Sequence, residues 1–130
     1  MTTPELATRF ATLVATAAVA TLLSPALATA GDAAAGKPLF EANCSPCHGL
    51  GGKGDGVVGV TLPTHPRDFT KADFLYDTDG DGKKGTDADL KNIITHGAAA
   101  YGGSPLMAPW PMLTPQQIDN IIAYVRTFHQ

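Results

Sequence analysis

Both cysteines of the chain fall in one pentapeptide, Cys44-Ser45-Pro46-Cys47-His48, and that spacing constrains what the rest can fold into. Cys-x-x-Cys-His is the pattern for covalent haem attachment. Two thiols this close can add to the two vinyl groups of one porphyrin, while the imidazole on the next residue rises under the iron. A bare Cys-x-x-Cys also serves thioredoxin-like redox pairs, but those open a helix inside a strand-rich α/β domain, and no βαβ pattern flanks this one. A zinc site needs two further ligands at finger-like spacing, whereas His65, His96 and His129 stand singly.

The motif also fits its compartment. Residues 1–30 read as a secretory signal peptide: Phe10 to Leu23 carries no charge, Ser24-Pro25 breaks it, and cleavage is expected after Ala28 or Ala30. The apolar run is short for a bilayer span, and the alternative of a retained anchor is opposed by Pro25 and the small residues after it. In an oxidising compartment two free cysteines would pair unless committed elsewhere, and haem thioethers are such a commitment. The remaining domain, 31–130, is one hundred residues of a 130-residue chain, small for a self-sufficient core. A large apolar cofactor would supply part of its interior. The formal charge is −3 and no basic stripe is present, which argues against nucleic acid. Acidic residues concentrate between Asp68 and Asp89.

Local signals predict an all-α chain of three to four short helices and long loops. The first helix covers Asp32 to Asn43, with Pro38 arguing that its regular part begins near Gly36. Gly49 to Thr70 is a glycine-rich loop containing Leu62-Pro63-Thr64-His65-Pro66-Arg67-Asp68-Phe69, and a turn of helix is expected over Lys71 to Tyr76. Thr86 followed by Asp89 resembles a capping box opening a helix over Asp87 to His96, stopped by Gly97. Thr114, Pro115 and Gln117 open the last helix, which carries Ile118, Ile121, Ile122 and Val125 on one face and runs to about Phe128. His96 ends a helix where a cation is favoured, and His129 lies at a frayed end.

The order of these parts resembles the class I c-type cytochromes, in particular small bacterial monohaem cytochromes c. Four stretches carry the resemblance: Gly36-x-x-Leu39-Phe40-x-x-x-Cys44-x-x-Cys47-His48-Gly49; Gly52-x-Gly54-Asp55-Gly56; Pro66-Arg67-Asp68-Phe69; and Met107-Ala-Pro-Trp110 leading into Leu113-Thr114-Pro-x-Gln-Ile118 and Ala123-Tyr124-Val125-Arg126. The resemblance implies a cytochrome c fold wrapped around one covalently bound haem c. Cys44 and Cys47 would form the thioethers, His48 would be the proximal iron ligand and Met107 the distal one. Met112 is the rival, restrained by its closeness to the Thr114 cap. Gly36 and Phe40 would meet Tyr124 where the first and last helices cross. The carbonyl of Pro63 or Pro66 would accept from His48 Nδ1–H, and Arg67 and Trp110 could reach a propionate.

The activity implied is one-electron transport in the periplasm without catalysis, with redox partner proteins docking transiently at the haem edge. The second reading is a haem subunit of a periplasmic dehydrogenase or oxidase. A haem enzyme or gas sensor with a labile sixth ligand, and a haem-free thiol protein, are further alternatives. One stretch departs from the family pattern: Asp77-x-Asp79-x-Asp81-Gly82 copies the first half of an EF-hand calcium loop. Its second half fails, because Ala88 stands at the twelfth position and Asp89 arrives one residue late. The plain reading is a solvated acidic loop, with calcium at Asp77, Asp79 and Asp81 the alternative.

Overall fold

The computed structural model describes residues 30–130, so the leader expected over residues 1–30 lies, but for its last residue, outside the described residues. Four α-helices order the chain: α1 (Ala33–Asn43), α2 (Ser45–His48), α3 (Asp87–His96) and α4 (Pro115–Arg126). Short 3-10 turns occupy Gly59–Thr61, Phe69–Lys71, Ala98–Tyr101 and Thr127–His129. Among the described residues there is no strand, and the all-α expectation holds.

Helix α1 begins at Ala33, earlier than Pro38 alone predicts. The Asp32 carboxylate accepts from Ala34 N–H at 2.8 Å and Ala35 N–H at 3.4 Å, satisfying donors that a helix start leaves open. Asp32 N–H in turn donates to Asn120 Oδ1 of α4 at 2.9 Å. Capping and the contact with α4 therefore outweigh the loss at Pro38, whose ring removes one bond to the Ala34 carbonyl in the second turn.

The α1–α4 crossing is the centre of the fold. Gly36 is buried and lies so close to α4 that a Cβ there would stand 1.9 Å from the Asn120 carbonyl oxygen. One turn on, Phe40 is fully buried, with Tyr124 and Phe128 edge-on or tilted at 5.4 and 5.3 Å between ring centroids. Ile121 and Val125 complete this core with Phe69. Such aromatic pairs add about 0.5–1.5 kcal/mol each beyond the area they bury.

The turn of helix expected over Lys71 to Tyr76 forms earlier, at Phe69–Lys71. Asp68 caps it, accepting from Thr70 N–H at 3.0 Å, and Ala72 ends it in the left-handed region at φ 51°. Helix α3 has the predicted reciprocal cap: Asp89 N–H donates to Thr86 Oγ1 at 3.1 Å and Thr86 N–H to Asp89 Oδ2 at 2.8 Å. Asp89 also accepts from the backbone and hydroxyl of Thr78 and from the Thr86 hydroxyl. Its side chain is buried, at 1 % exposure. Burial pushes the carboxyl up, but these hydrogen bonds outweigh it and hold the pKa at about 2, below the ordinary 3.8.

Two outcomes follow. Gly36→Ala forces α1 and α4 apart and costs about 1–3 kcal/mol or more, read as a lower urea midpoint. Asp89 stabilises the fold above its ordinary pKa of 3.8, and that contribution is lost as pH falls toward about 2. Asp89→Asn should therefore lower stability at neutral pH and flatten the stability profile across that window in acid denaturation. A profile unchanged in shape would contradict this role.

Candidate functional site

Helix α1 ends in Asn43, and Cys44 joins it to α2: Cys44 N–H donates to Phe40 O at 2.8 Å while Cys44 O accepts from His48 N–H at 2.8 Å. The single turn of α2 so formed places Cys44, Cys47 and His48 along one wall of a cavity of about 270 Å³. The glycine-rich loop then wraps the end of α2, with Gly54 N–H on His48 O at 2.8 Å and Val58 N–H on Pro46 O at 2.9 Å. Apolar side chains from α3 and α4, among them Leu90, Ile94, Ile122 and Val125, form other walls.

Met107 also lines this cavity, together with Trp110, Arg67 and His65. Met112 is absent from the lining and is 73 % exposed. The Met107 loop is strapped to the end of α3 by two main-chain bonds, Ala98 N–H to Met107 O at 3.0 Å and Trp110 N–H to Ile94 O at 3.0 Å. Gly97 makes that approach feasible. Its φ of 80° and ψ of 156° suit glycine alone, and a Cβ there would stand 3.0 Å from Met107 O and from Pro109.

His48 is held from two directions. Its Nδ1 lies 3.2 Å from Arg67 O, and because a carbonyl can only accept, Nδ1 carries the proton and Nε2 keeps its lone pair. The partner is thus the Arg67 carbonyl, one residue beyond Pro66, rather than that of Pro63 or Pro66. Burial lowers the His48 pKa below its ordinary value, opposed by the bond to Arg67, so the imidazole is neutral at pH 7. Against its face stacks Phe69, 4.5 Å between centroids and 17° between planes. Sequence reasoning assigned Phe69 no role; only its place three residues after Pro66 marked it.

The two thiols are free of each other. Burial, reinforced by the neighbouring Cys47, raises the Cys44 thiol to about 12. The other expected residues divide. Arg67 lines the cavity but its guanidinium pairs with Asp73 at 3.3 Å. His96 is exposed at the end of α3, its Nδ1 2.9 Å from the Tyr101 hydroxyl. His129 is not frayed: it closes the turn Thr127–His129 with Nδ1 3.1 Å from Phe69 O. Asp77, Asp79 and Asp89 bring carboxylate oxygens within 4.8 Å of one another, whereas Asp81 stands outside this group. Asp77 caps its own turn, accepting from Gly80 and Gly82 N–H at 2.7 and 2.9 Å, and Asp89 serves the α3 cap.

The residues around the cavity fit a haem. Two free thiols stand at one wall, a neutral imidazole nitrogen and a thioether suit iron as ligands, and the remaining walls are largely apolar. Fold and cavity together define a small α-helical haem protein. The chain belongs to the cytochrome c family, whose model, Cytochrome c, matches residues 33–129. It is 38% identical to cytochrome c6 of Rippkaea orientalis over 106 residues, 82% of this chain and 78% of that one. With cytochrome c-554(547) of Halothiobacillus neapolitanus it shares 36% over 103 residues, 75% of this chain and 98% of that one. Among solved structures it matches the reducing HAO-like protein complex of Kuenenia stuttgartiensis with a TM-score of 0.62 and 30% identity, across 73% of this chain but only 41% of that one. The family's role is electron transfer rather than catalysis. No helix among the described residues is long and apolar enough to cross a membrane.

Gly97→Ala should cost about 1–3 kcal/mol through backbone strain and displace the Met107 loop. Urea unfolding measures the first, and a changed environment of the Met107 methyl resonance reports the second. A variant with wild-type stability would remove Gly97 from the account of this loop.

Proposed function

We propose that the protein is a periplasmic monohaem c-type cytochrome acting as a one-electron carrier, with haem c joined to Cys44 and Cys47 and its iron ligated by His48 and Met107. The observation that carries this reading is the convergence of those four residues on one largely apolar cavity. The haem, when bound, supplies a ferric/ferrous couple. The chain's own residues do the rest. His48 offers a neutral nitrogen oriented by the Arg67 carbonyl, as ligating histidines require of their other ring nitrogen. Met107 offers a soft, neutral sulfur, which favours the reduced metal and raises the potential relative to a second histidine. With His48 and Met107 both committed to the iron, the chain would leave no position for a substrate, and the group would supply electron transfer alone.

Export rests on the segment 1–30, read as a signal peptide cleaved after Ala28 or Ala30, with 31–130 as the haem domain. Partners are redox proteins docking transiently at the haem edge, near the exposed Ala99 and Ala100 beside the Met107 loop. Asp77, Asp79 and Asp81 enter the reading as loop carboxylates that cap turns, without calcium. The second reading, a haem subunit of a dehydrogenase or oxidase, draws on the solved structure it matches, which is part of a protein complex. Stoichiometric co-purification with an enzyme would favour it over a diffusing carrier.

The test is an absorption spectrum of protein made with haem-maturation machinery. A covalent haem spectrum with a weak near-infrared sulfur-to-iron band is expected in the ferric protein. That band should vanish in Met107→Ala and persist in Met112→Ala; the reverse pattern would overturn the ligand assignment.

A further inference from the structure

Beyond its bond to the Arg67 carbonyl, the imidazole of His48 has a second support that no motif announces. Phe69 lies nearly parallel to it, 4.5 Å between centroids, and is itself buried to 9 % exposure. Residues 67 and 69 thus grip one imidazole at two points: the Arg67 carbonyl accepts a hydrogen bond from Nδ1–H, and the Phe69 ring covers a face of the ring plane. The grip is held from behind. Phe69 N–H donates to Gly52 O at 2.7 Å, tying it to the glycine loop that closes α2. His129 Nδ1 lies 3.1 Å from Phe69 O, sixty residues away in sequence, and since a carbonyl only accepts, His129 is the donor. Phe128 stacks on the Phe69 ring at 6.4 Å and 16°, while the His129 ring meets Phe74 edge-on at 5.9 Å.

We propose that Phe69 is a positioning residue for His48, fixing the plane of the imidazole, and that His129 holds Phe69 in that place through its main-chain carbonyl. The proposal rests on His48 being the proximal iron ligand. The hydrogen bond to Nδ1 restrains the imidazole at one edge only and leaves the ring some room to librate about the axis through Nε2. A flat ring packed on its face removes that freedom, because rotation drives the imidazole edge into the phenyl carbons. The same ring keeps water from one face of the ligand. Shells of this kind set solvent access and hence redox potential around a metal centre. The Phe69 ring makes no hydrogen bond to the imidazole; its action on the iron passes through its packing on His48.

The experiment uses the ferric holoprotein and the variants Phe69→Leu, His129→Ala and His129→Asn, comparing low-temperature electron paramagnetic resonance, reduction potential and thermal midpoint. A low-spin ferric centre reads the angle of its axial imidazole in its g values, and a spread of angles broadens the low-field feature. Phe69→Leu should broaden that feature and lower the potential, since admitted water favours the more highly charged ferric state. His129→Ala should do the same to a smaller extent, and His129→Asn, whose amide nitrogen stands where Nδ1 does and can still donate to Phe69 O, should restore wild-type signals. If Phe69→Leu and His129→Ala lower only the thermal midpoint while spectrum and potential stay at wild type, both residues are structural and the proposal fails. Broadening in His129→Ala that asparagine does not reverse refutes the part given to His129. If the wild-type protein itself lacks a nitrogen-ligated covalent haem, the reading of His48 falls first and takes the proposal with it.

Discussion

The approach of α1 to α4 at Gly36 is the contact on which the remaining geometry depends. With no Cβ at that position, the backbone of α1 comes against the Asn120 carbonyl, and the next turn of α1 places Phe40 among Tyr124, Phe128 and Ile121. Cys44 follows Phe40 by one helical turn and is bonded to its carbonyl, so the position of the cysteines along the cavity is set by how deeply α1 seats on α4. A shift of the crossing would move the thiols and the imidazole together. The stability of the fold and the placement of the site are therefore the same packing problem. In a domain this small the apolar interior is limited, and the cavity occupies space that a cofactor-free protein of this size would have to fill with side chains.

Polar groups inside the molecule are accounted for with equal economy. No buried side-chain nitrogen or oxygen among the described residues lacks a partner. Asp89 illustrates how this is achieved: one carboxylate closes the α3 cap and also ties the Thr78 segment to it, so the acidic loop is anchored at its helix end. Lys91 and Asp119 pair between α3 and α4 at 2.7 Å, and Arg126 joins α4 to Asp87 at 2.7 Å. These pairs are partly exposed and contribute modestly, about 1 kcal/mol or less each. Their value lies more in fixing how α3 lies on α4 than in stability.

Much of this was legible in the sequence where the determining forces are local. The caps at Thr86 and Thr114 and the apolar face of α4 depend on residues within a few positions of each other, and both helices begin where those signals put them. The Cys-x-x-Cys-His pentapeptide is equally local. The span of α1 from Asp32 was legible, but its regular part begins ahead of Gly36, because Pro38 is visible in the sequence while the compensating contact with Asn120 is eighty-eight positions away. The partner of His48 Nδ1, expected at Pro63 or Pro66, is Arg67 for a different reason: every peptide has a carbonyl, and nothing in side-chain identity marks which one faces the ring. His129 and Phe69 were passed over because their meeting depends on the whole fold being closed. Of the methionines, spacing from the Thr114 cap favoured Met107, and Met107 is the one that borders the cavity.

The hydrogen bond from His48 to Arg67 uses the main chain of residue 67, not its guanidinium, which is occupied with Asp73 on the outer side. The two functions of that position are thereby separated. Its backbone serves the imidazole whatever side chain it bears, provided the loop path is kept, while its side chain is free to be chosen for surface charge. A family member could thus exchange the residue at this site without moving the carbonyl that the imidazole behind it meets. Interior geometry and surface charge meet at one residue and remain independently variable.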